Sequence, residues 1–492
     1  MFWARKFVQG WVAAGAVAVF SFAGVAGWGQ DTRVVLEPKV PVACVQLEAQ
    51  LKSVGDKVAE ADERKLDTAR IQKALDTCKP GMAVELKGAA GKDAFLTGPL
   101  ELRSGVTLLI EAGVTLFGSR DAAVYEMTGP DMAGGLCGTI AKAVPAVFPA
   151  PPRAAAVKGG CRPLIAATNV KDAAIMGGGV IDGRGYATFL GKDYSWWQMA
   201  RKAEPKNEKY YSSRLIVANK ADGLILYGIT LHNSPNFHVS VNGTNGFTAW
   251  GVHLVTPTDK SMDARNTDGI DPGSSTNITV AHSWIDNGDD NIAIKTGVSH
   301  MSVLDNHFYN GHGMSIGSET YSGQSFLLVD GLTEDHTTSG IRIKSNVTRG
   351  GPVHDLVYRN ICMRGVKNPI AISPYYTNQT VEPYEDPKYE GDRIPDYKAI
   401  TIENVVSETP GDILIAGLNE AHRTEVTLRN VLVKGIVPSQ VHMAFASVIV
   451  ISPGTNLTFP HSGSVITALK GEGDPNLQPT AGACEGKFLP MR

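Results

Sequence analysis

Two families of short apolar runs interleave from residue 224 onward, and nothing else in the chain restricts its fold as strongly. One family begins at Leu224 (LILYGIT), Phe247 (FTAWGVH), Ile278 (ITVAHSW), Met301 (MSVLDNH), Phe326 (FLLVDGL) and Leu356 (LVYRNIC), at spacings of 23, 31, 23, 25 and 30 residues. Ile400 (ITIENVV) and Val426 (VTLRNVL) extend it. Between these runs fall GIDPG at Gly269, NIAIK at Asn291, GMSIG at Gly313, GIRIK at Gly340, PIAIS at Pro369 and DILIA at Asp412. Runs this short, repeating every coil with no helical pattern between them, predict an all-β chain wound as a single-stranded right-handed parallel β-helix. A β-sandwich would show hairpin turns and polar/apolar alternation without this register.

Ahead of the repeats, Asp67 to Cys78 carries a helical stripe of Leu66, Ala69, Ile71, Ala74 and Leu75, stopped by Lys79-Pro80-Gly81. A helix over about 62–78 is therefore expected to cap the open end of the coils, which run from about 83 to 470. Arg5 and Lys6 followed by an apolar stretch from Trp11 to Phe22 and small residues to Gly27 read as a signal peptide over 1–28. That leaves 29–492 as one β-helix catalytic domain, secreted or periplasmic, with no stable membrane association once the signal is cut. Export permits disulfides, and of the six cysteines Cys44 with Cys78 and Cys137 with Cys161 would each clip a local loop. A net charge of −3 supplies no global field for nucleic acid. The oligomeric state is left open.

Residues in the same phase of successive coils stack about 4.8 Å apart. Aligning Ile270, Ile292, Met314, Ile341 and Ile370 sends them and Ile294, Ile316, Ile343 and Ile372 into the core. Arg342 and Lys344 then project outward from a rigid strand, with Lys295 in the column of Lys344, and Asp289 shares the outward parity. Asp268, Asp290 and His312 form a column two positions before their core residues. Strict alternation would turn that column inward, so a bend before each strand is required, and Gly269, Gly288, Gly311 and Gly313 allow one. Clustered carboxyls cannot all ionise freely, so at least one pKa should rise. One protonated carboxyl and one carboxylate are what glycosidic hydrolysis needs.

The strings NTDGID, GDDNIAIK, GHGMSIGS and IRIK, in this order, resemble those of the polygalacturonases of glycoside hydrolase family 28. VIDGRG, Trp196-Trp197 and LHNSPNFHV extend the resemblance over about 69–433. It implies hydrolysis of α-1,4-linked galacturonan (pectin, polygalacturonate) with inversion, and no metal or other cofactor. Asp289 would be the general acid, Asp268 and Asp290 would position the water, and His312 would support the acid. Arg342 and Lys344 would bind a galacturonate carboxylate. Either Tyr375 or Tyr376 would supply a site tyrosine, and Asn266, Asn233, Asn236 and His238 would line the cleft.

Three insertions, 127–161, 186–212 and 375–396, could wall the groove and favour cutting from chain ends, an inference from loop length alone. Action on another pectic backbone (rhamnogalacturonan or xylogalacturonan), a calcium-dependent lyase, and a non-catalytic pectin-binding β-helix are the alternatives.

Overall fold

The computed structural model describes residues 30–55, 57–129, 132–141, 159–206, 208–257, 261–376, 391–452, 454–460, 465–470 and 482–491. The expected signal peptide lies outside them, as do 142–158 and 377–390 of two insertions.

Every strand ladder among the described residues is parallel, and each strand pairs with its counterpart one coil away. One sheet positions the site. Its strands are β1 (Leu100–Glu101), β2 (Ile165–Thr168), β3 (Ile216–Asn219), β4 (Val239–Asn242), β5 (Ile270–Gly273), β6 (Ile292–Ile294), β7 (Met314–Gly317), β8 (Ser339–Lys344), β9 (Asn368–Ser373), β10 (Ile413–Ala416) and β11 (Val441–Ala444). Ile270 pairs with Ile292, Ile292 with Met314, Met314 with Ile341 and Ile341 with Ile370, the register read from the sequence. These residues and their alternates are buried, and one apolar core runs from Ala49 to Phe459. The remaining strands form a second, 22-stranded sheet around that core.

At its corners the chain turns on single left-handed residues. Asn277, His300, Phe326, Asp355 and Ala399 all have φ between 49° and 59° and fall in one stacked column between paired strand residues. Asn404 and Asn430 each pass a side-chain amide to the asparagine one coil back, forming a ladder that starts at Asn360. Repeating one αL residue per corner keeps all coils in register.

The helix α1 (Thr68–Thr77) is shorter than expected. It buries Ile71, Ala74 and Leu75, whereas Leu66 and Ala69 face outward. Gln72 exchanges two hydrogen bonds with the backbone of Glu101 in β1, the terminal strand of the site sheet. A strand the sequence reading lacked, Ala43–Glu48, precedes the helix and pairs with Ala83–Lys87. Cys44–Cys78 and Cys137–Cys161 are bonded as expected, and a third bridge joins Cys362 to Cys484.

The segment after residue 30 lies as a strap across the 22-stranded sheet. Asp31 is buried there, taking a hydrogen bond from Thr279 and giving its N–H to Ser302, while Arg33 donates to the Phe247 carbonyl.

Candidate active site

The bend required by the parity conflict is present. Asp268, Asp290 and His312 all precede their strands, in non-strand backbone. Two buried asparagines hold it: the Asn287 amide donates to the Thr267 and Asp290 carbonyls, and the Asn291 amide to the Ile285 carbonyl and to Asn287. Asn291 Oδ1 accepts from the Gly313 N–H. Their neighbours must be glycine: a Cβ on Gly313 (φ 83°) would meet Ser339 O at 1.9 Å, and one on Gly288 would meet Ala264 O at 2.1 Å. The asparagines satisfy backbone groups that strand pairing leaves open, so the bend costs little.

The column thus presents its side chains in a cleft of about 1630 Å³. The lining runs from Arg214, just before β3, to Leu414 in β10. Eight strand positions at the sheet spacing make this about 34 Å long.

Asp290 sits at its centre. Its side chain is 1% exposed; Oδ2 accepts from Lys344 at 2.6 Å, and Oδ1 from Ser315 at 2.8 Å and Arg342 at 3.1 Å. Burial opposes its charge, but the Lys344 and Arg342 cations outweigh that and hold its pKa well below the usual carboxylate range. The two cations leave their strand on the outward parity read from the sequence; they are turned onto Asp290 rather than standing free in solvent.

Asp289 is more open. Its Oδ1 lies 3.1 Å from His312 Nδ1 and accepts from the Asp290 N–H, and Asn266 Nδ2 reaches Oδ2 at 3.5 Å. Burial pushes its pKa up, and the hydrogen bond and charge of His312 more than reverse this. Asp268 goes the other way. It is buried, its Oδ1 has no hydrogen-bond partner, and Lys295 stands 3.7 Å from Oδ2. Burial first, then the Asp271 and Asp289 charges, raise its pKa well above the usual value. A raised carboxyl was expected, and Asp268 is one.

Asp271 and Lys295 complete the cluster. Asp271 lies 3.5 Å from Lys295, and burial lifts its pKa to about 6. The sequence signal for Asp271 was its outward parity, one place after Ile270, the phase that Arg342 occupies after Ile341. Burial works against the Lys295 charge, yet Asp271 and Asp268 keep it firmly protonated.

Of the two candidate tyrosines, Tyr376 is the one that faces Arg342 and Lys344. It lines the cleft, with the Lys344 ammonium 5.3 Å and the Arg342 guanidinium 5.6 Å from its ring centre. Tyr375 instead donates to the Leu418 carbonyl. Asn266 lines the cleft and accepts from Tyr210 at 2.6 Å.

Asn233 and His238 do not reach the cleft. Asn233 is buried and donates to Asp182. His238 is wholly buried, its ring nitrogens 3.1 Å from the Asp268 carbonyl and 2.7 Å from Thr256 Oγ1. Burial lowers its pKa to about 4, so it is a neutral prop behind Asp268. VIDGRG is likewise structural, with Arg184 paired to buried Glu63. Trp196 and Trp197 are core residues of α2 (Trp196–Ala203), Trp197 donating to the Ser234 carbonyl. The insertion that carries them does reach the cleft, through Glu204, Glu208 and Lys209.

Asp289, Asp290 and His312 bring possible metal-ligand atoms within 4.8 Å of one another. Asp290 already accepts from Lys344, Arg342 and Ser315, and those cations would repel a divalent ion.

The chain matches the profile of the glycosyl hydrolases family 28 over residues 78–448. It is 40% identical over 422 residues to an endo-polygalacturonase of Pectobacterium parmentieri, covering 85% of this chain and 92% of the relative. An exo-poly-alpha-D-galacturonosidase of Dickeya chrysanthemi is 26% identical over 427 residues, 78% of this chain and 67% of that one. The solved polygalacturonase from Erwinia carotovora ssp. carotovora superimposes with a TM-score of 0.69 at 38% identity, covering 84% of this chain and all of that one. With a parallel β-helix, a carboxylate column in a long cleft and this breadth of match, the chain belongs to glycosyl hydrolases family 28 and is a glycoside hydrolase.

Proposed function

We propose that the protein hydrolyses α-1,4-galacturonosidic bonds of polygalacturonate and pectin after export, cutting within the chain. The cation pair Arg342 and Lys344 beside the carboxylate column carries this reading, because it offers a rigid receptor for a uronate carboxylate next to the groups that transfer protons. Internal cutting is supported by a cleft about 34 Å long, several times the length of one sugar ring, and by the relatives named endo-polygalacturonase. A relative named for chain-end cutting, the reading expected from the insertions, matches at 26% identity against 40% for the endo-polygalacturonase.

In this mechanism Asp289 protonates the leaving oxygen while Asp268 and Asp290 orient and deprotonate the water. Free Asp289 is held ionised by His312. A bound galacturonate places a carboxylate in front of Arg342 and Lys344 and draws positive charge away from the cluster, which raises the Asp289 pKa and lets it take the proton. The raised pKa of Asp268 favours a second reading, in which Asp268 is the acid.

Aryl galacturonides with leaving groups of graded acidity separate the two. The variant that loses the acid recovers most of its rate on the best leaving group, and the other does not. We expect recovery in Asp289→Asn; recovery in Asp268→Asn alone would transfer the role. Proton NMR of early product tests inversion: the β-anomer should come first, and α-anomer would count against it.

A further inference from the structure

Arg214 stands in the same column as the carboxylates, on the side away from Arg342 and Lys344. Ile216 pairs with Val239 and Val239 with Ile270, so the residues two places before them, Arg214, Phe237 and Asp268, are stacked neighbours. Two strand spacings put Arg214 about 10 Å from Asp268 along the cleft. Its guanidinium lies over the Phe237 ring at 4.5 Å, and both residues line the cleft.

Four of the other cleft cations are ion-paired, whereas Lys209 and Lys367, which also line the cleft, make no ion pair with any described residue. Lys295 is held by Asp268 and Asp271, Arg342 and Lys344 by Asp290, and Arg265 by Asp263 and Glu204. Arg214 makes no ion pair with any described residue. A long 3.5 Å contact from Nη1 to Ser240 Oγ is its side-chain hydrogen bond. Stacking occupies the face of a guanidinium and leaves its in-plane donors open, the geometry that forks a carboxylate.

We propose that Arg214, braced on Phe237, is a second carboxylate-binding subsite, which takes a further uronate of the same polymer chain on the opposite side of the carboxylate cluster from Arg342 and Lys344. This rests on the uronate-chain reading above and deepens it: cation sites on both flanks require the polymer to cross the reacting centre. Free acid is preferred over methyl ester at that position, since an ester offers the fork no charge.

The test is kcat/KM against oligogalacturonide length for wild type, Arg214→Lys and Arg214→Gln. In the wild type it rises by a step at the length whose sugar first reaches Arg214. Losing a charged hydrogen-bond pair removes about tenfold at and beyond that length, so the step vanishes in Arg214→Gln and is intermediate in Arg214→Lys. Methyl-esterifying long substrates lowers wild-type kcat/KM more than that of Arg214→Gln. Parallel length profiles, whether equal or uniformly lowered, would overturn the subsite. If wild type binds polygalacturonate without cutting it, hydrolysis fails instead, and the same series read as affinity still decides Arg214.

Discussion

Lys344 gives its ammonium to Asp290 at 2.6 Å, with 7% of one side chain and 1% of the other exposed. Breaking a buried pair from one side leaves an uncompensated charge, whereas removing both ends is far milder. Arg342 and Ser315 stay on Asp290, so Lys344→Met should lower unfolding free energy by about 3 kcal/mol, the low end for a broken buried pair, in urea titration. Adding Asp290→Asn to it should recover most of that loss while activity stays absent. Strict additivity of the two losses would show that the pair does not couple.

Glu334 gives the fold a pH dependence of its own. It pairs in register with Phe308 and Met363, both core residues, and is itself fully buried. Burial raises its pKa from 4.5 to about 8. The folded state then binds the proton more tightly than the unfolded one, so this contribution is complete below about pH 4.5 and is lost as pH rises towards 8. The loss is on the order of 5 kcal/mol. Glu334→Gln, neutral at every pH, should flatten the fall in Tm between pH 5 and 8; an unchanged slope would refute the assignment.

The two neighbouring tyrosines should separate cleanly. Tyr376→Ala strips the ring from Arg342 and Lys344 and should lower kcat/KM on polygalacturonate by about tenfold. Tyr375→Phe removes a hydrogen bond to the Leu418 carbonyl, worth about 1 kcal/mol, and should shift Tm with kcat/KM nearly unchanged. Reversed effects would return Tyr375 to the site.

Chelation should leave the rate untouched. The carboxylate oxygens a divalent ion would use on Asp290 are taken by Lys344, Arg342 and Ser315. Reducing ends should appear at the same rate with and without EDTA, and no product should absorb as an unsaturated uronide. Inhibition by EDTA reversed by calcium would favour elimination.

Period and parity carried much of this arrangement in advance. Apolar residues repeat once per coil because each coil must bury the same stripe, so the Ile270-to-Ile370 register could be read directly, and with it the outward path of Arg342 and Lys344. What they meet could not, because their pairing with Asp290 joins different coils across a bend. That bend depends on Asn287 and Asn291, whose polar side chains point inward and imitate ordinary turn residues in sequence. Asn233 and His238 were misplaced for a related reason: a buried polar residue bonded within the fold and a cleft residue look alike when only spacing is visible. The Cys362–Cys484 bridge spans 122 residues and had no local signature.

The strap after residue 30 has a consequence for the order of assembly. Asp31 bonds Ser302 and Thr279, partners 271 and 248 residues further along, and Arg33 reaches Phe247, 214 residues on. In a chain made from its N-terminus this segment emerges long before Ser302, yet its docking surface is completed only when the coil containing Ser302 has closed. The strap therefore seats only after the coils carrying Thr279 and Ser302 have formed, and it locks them rather than nucleating them.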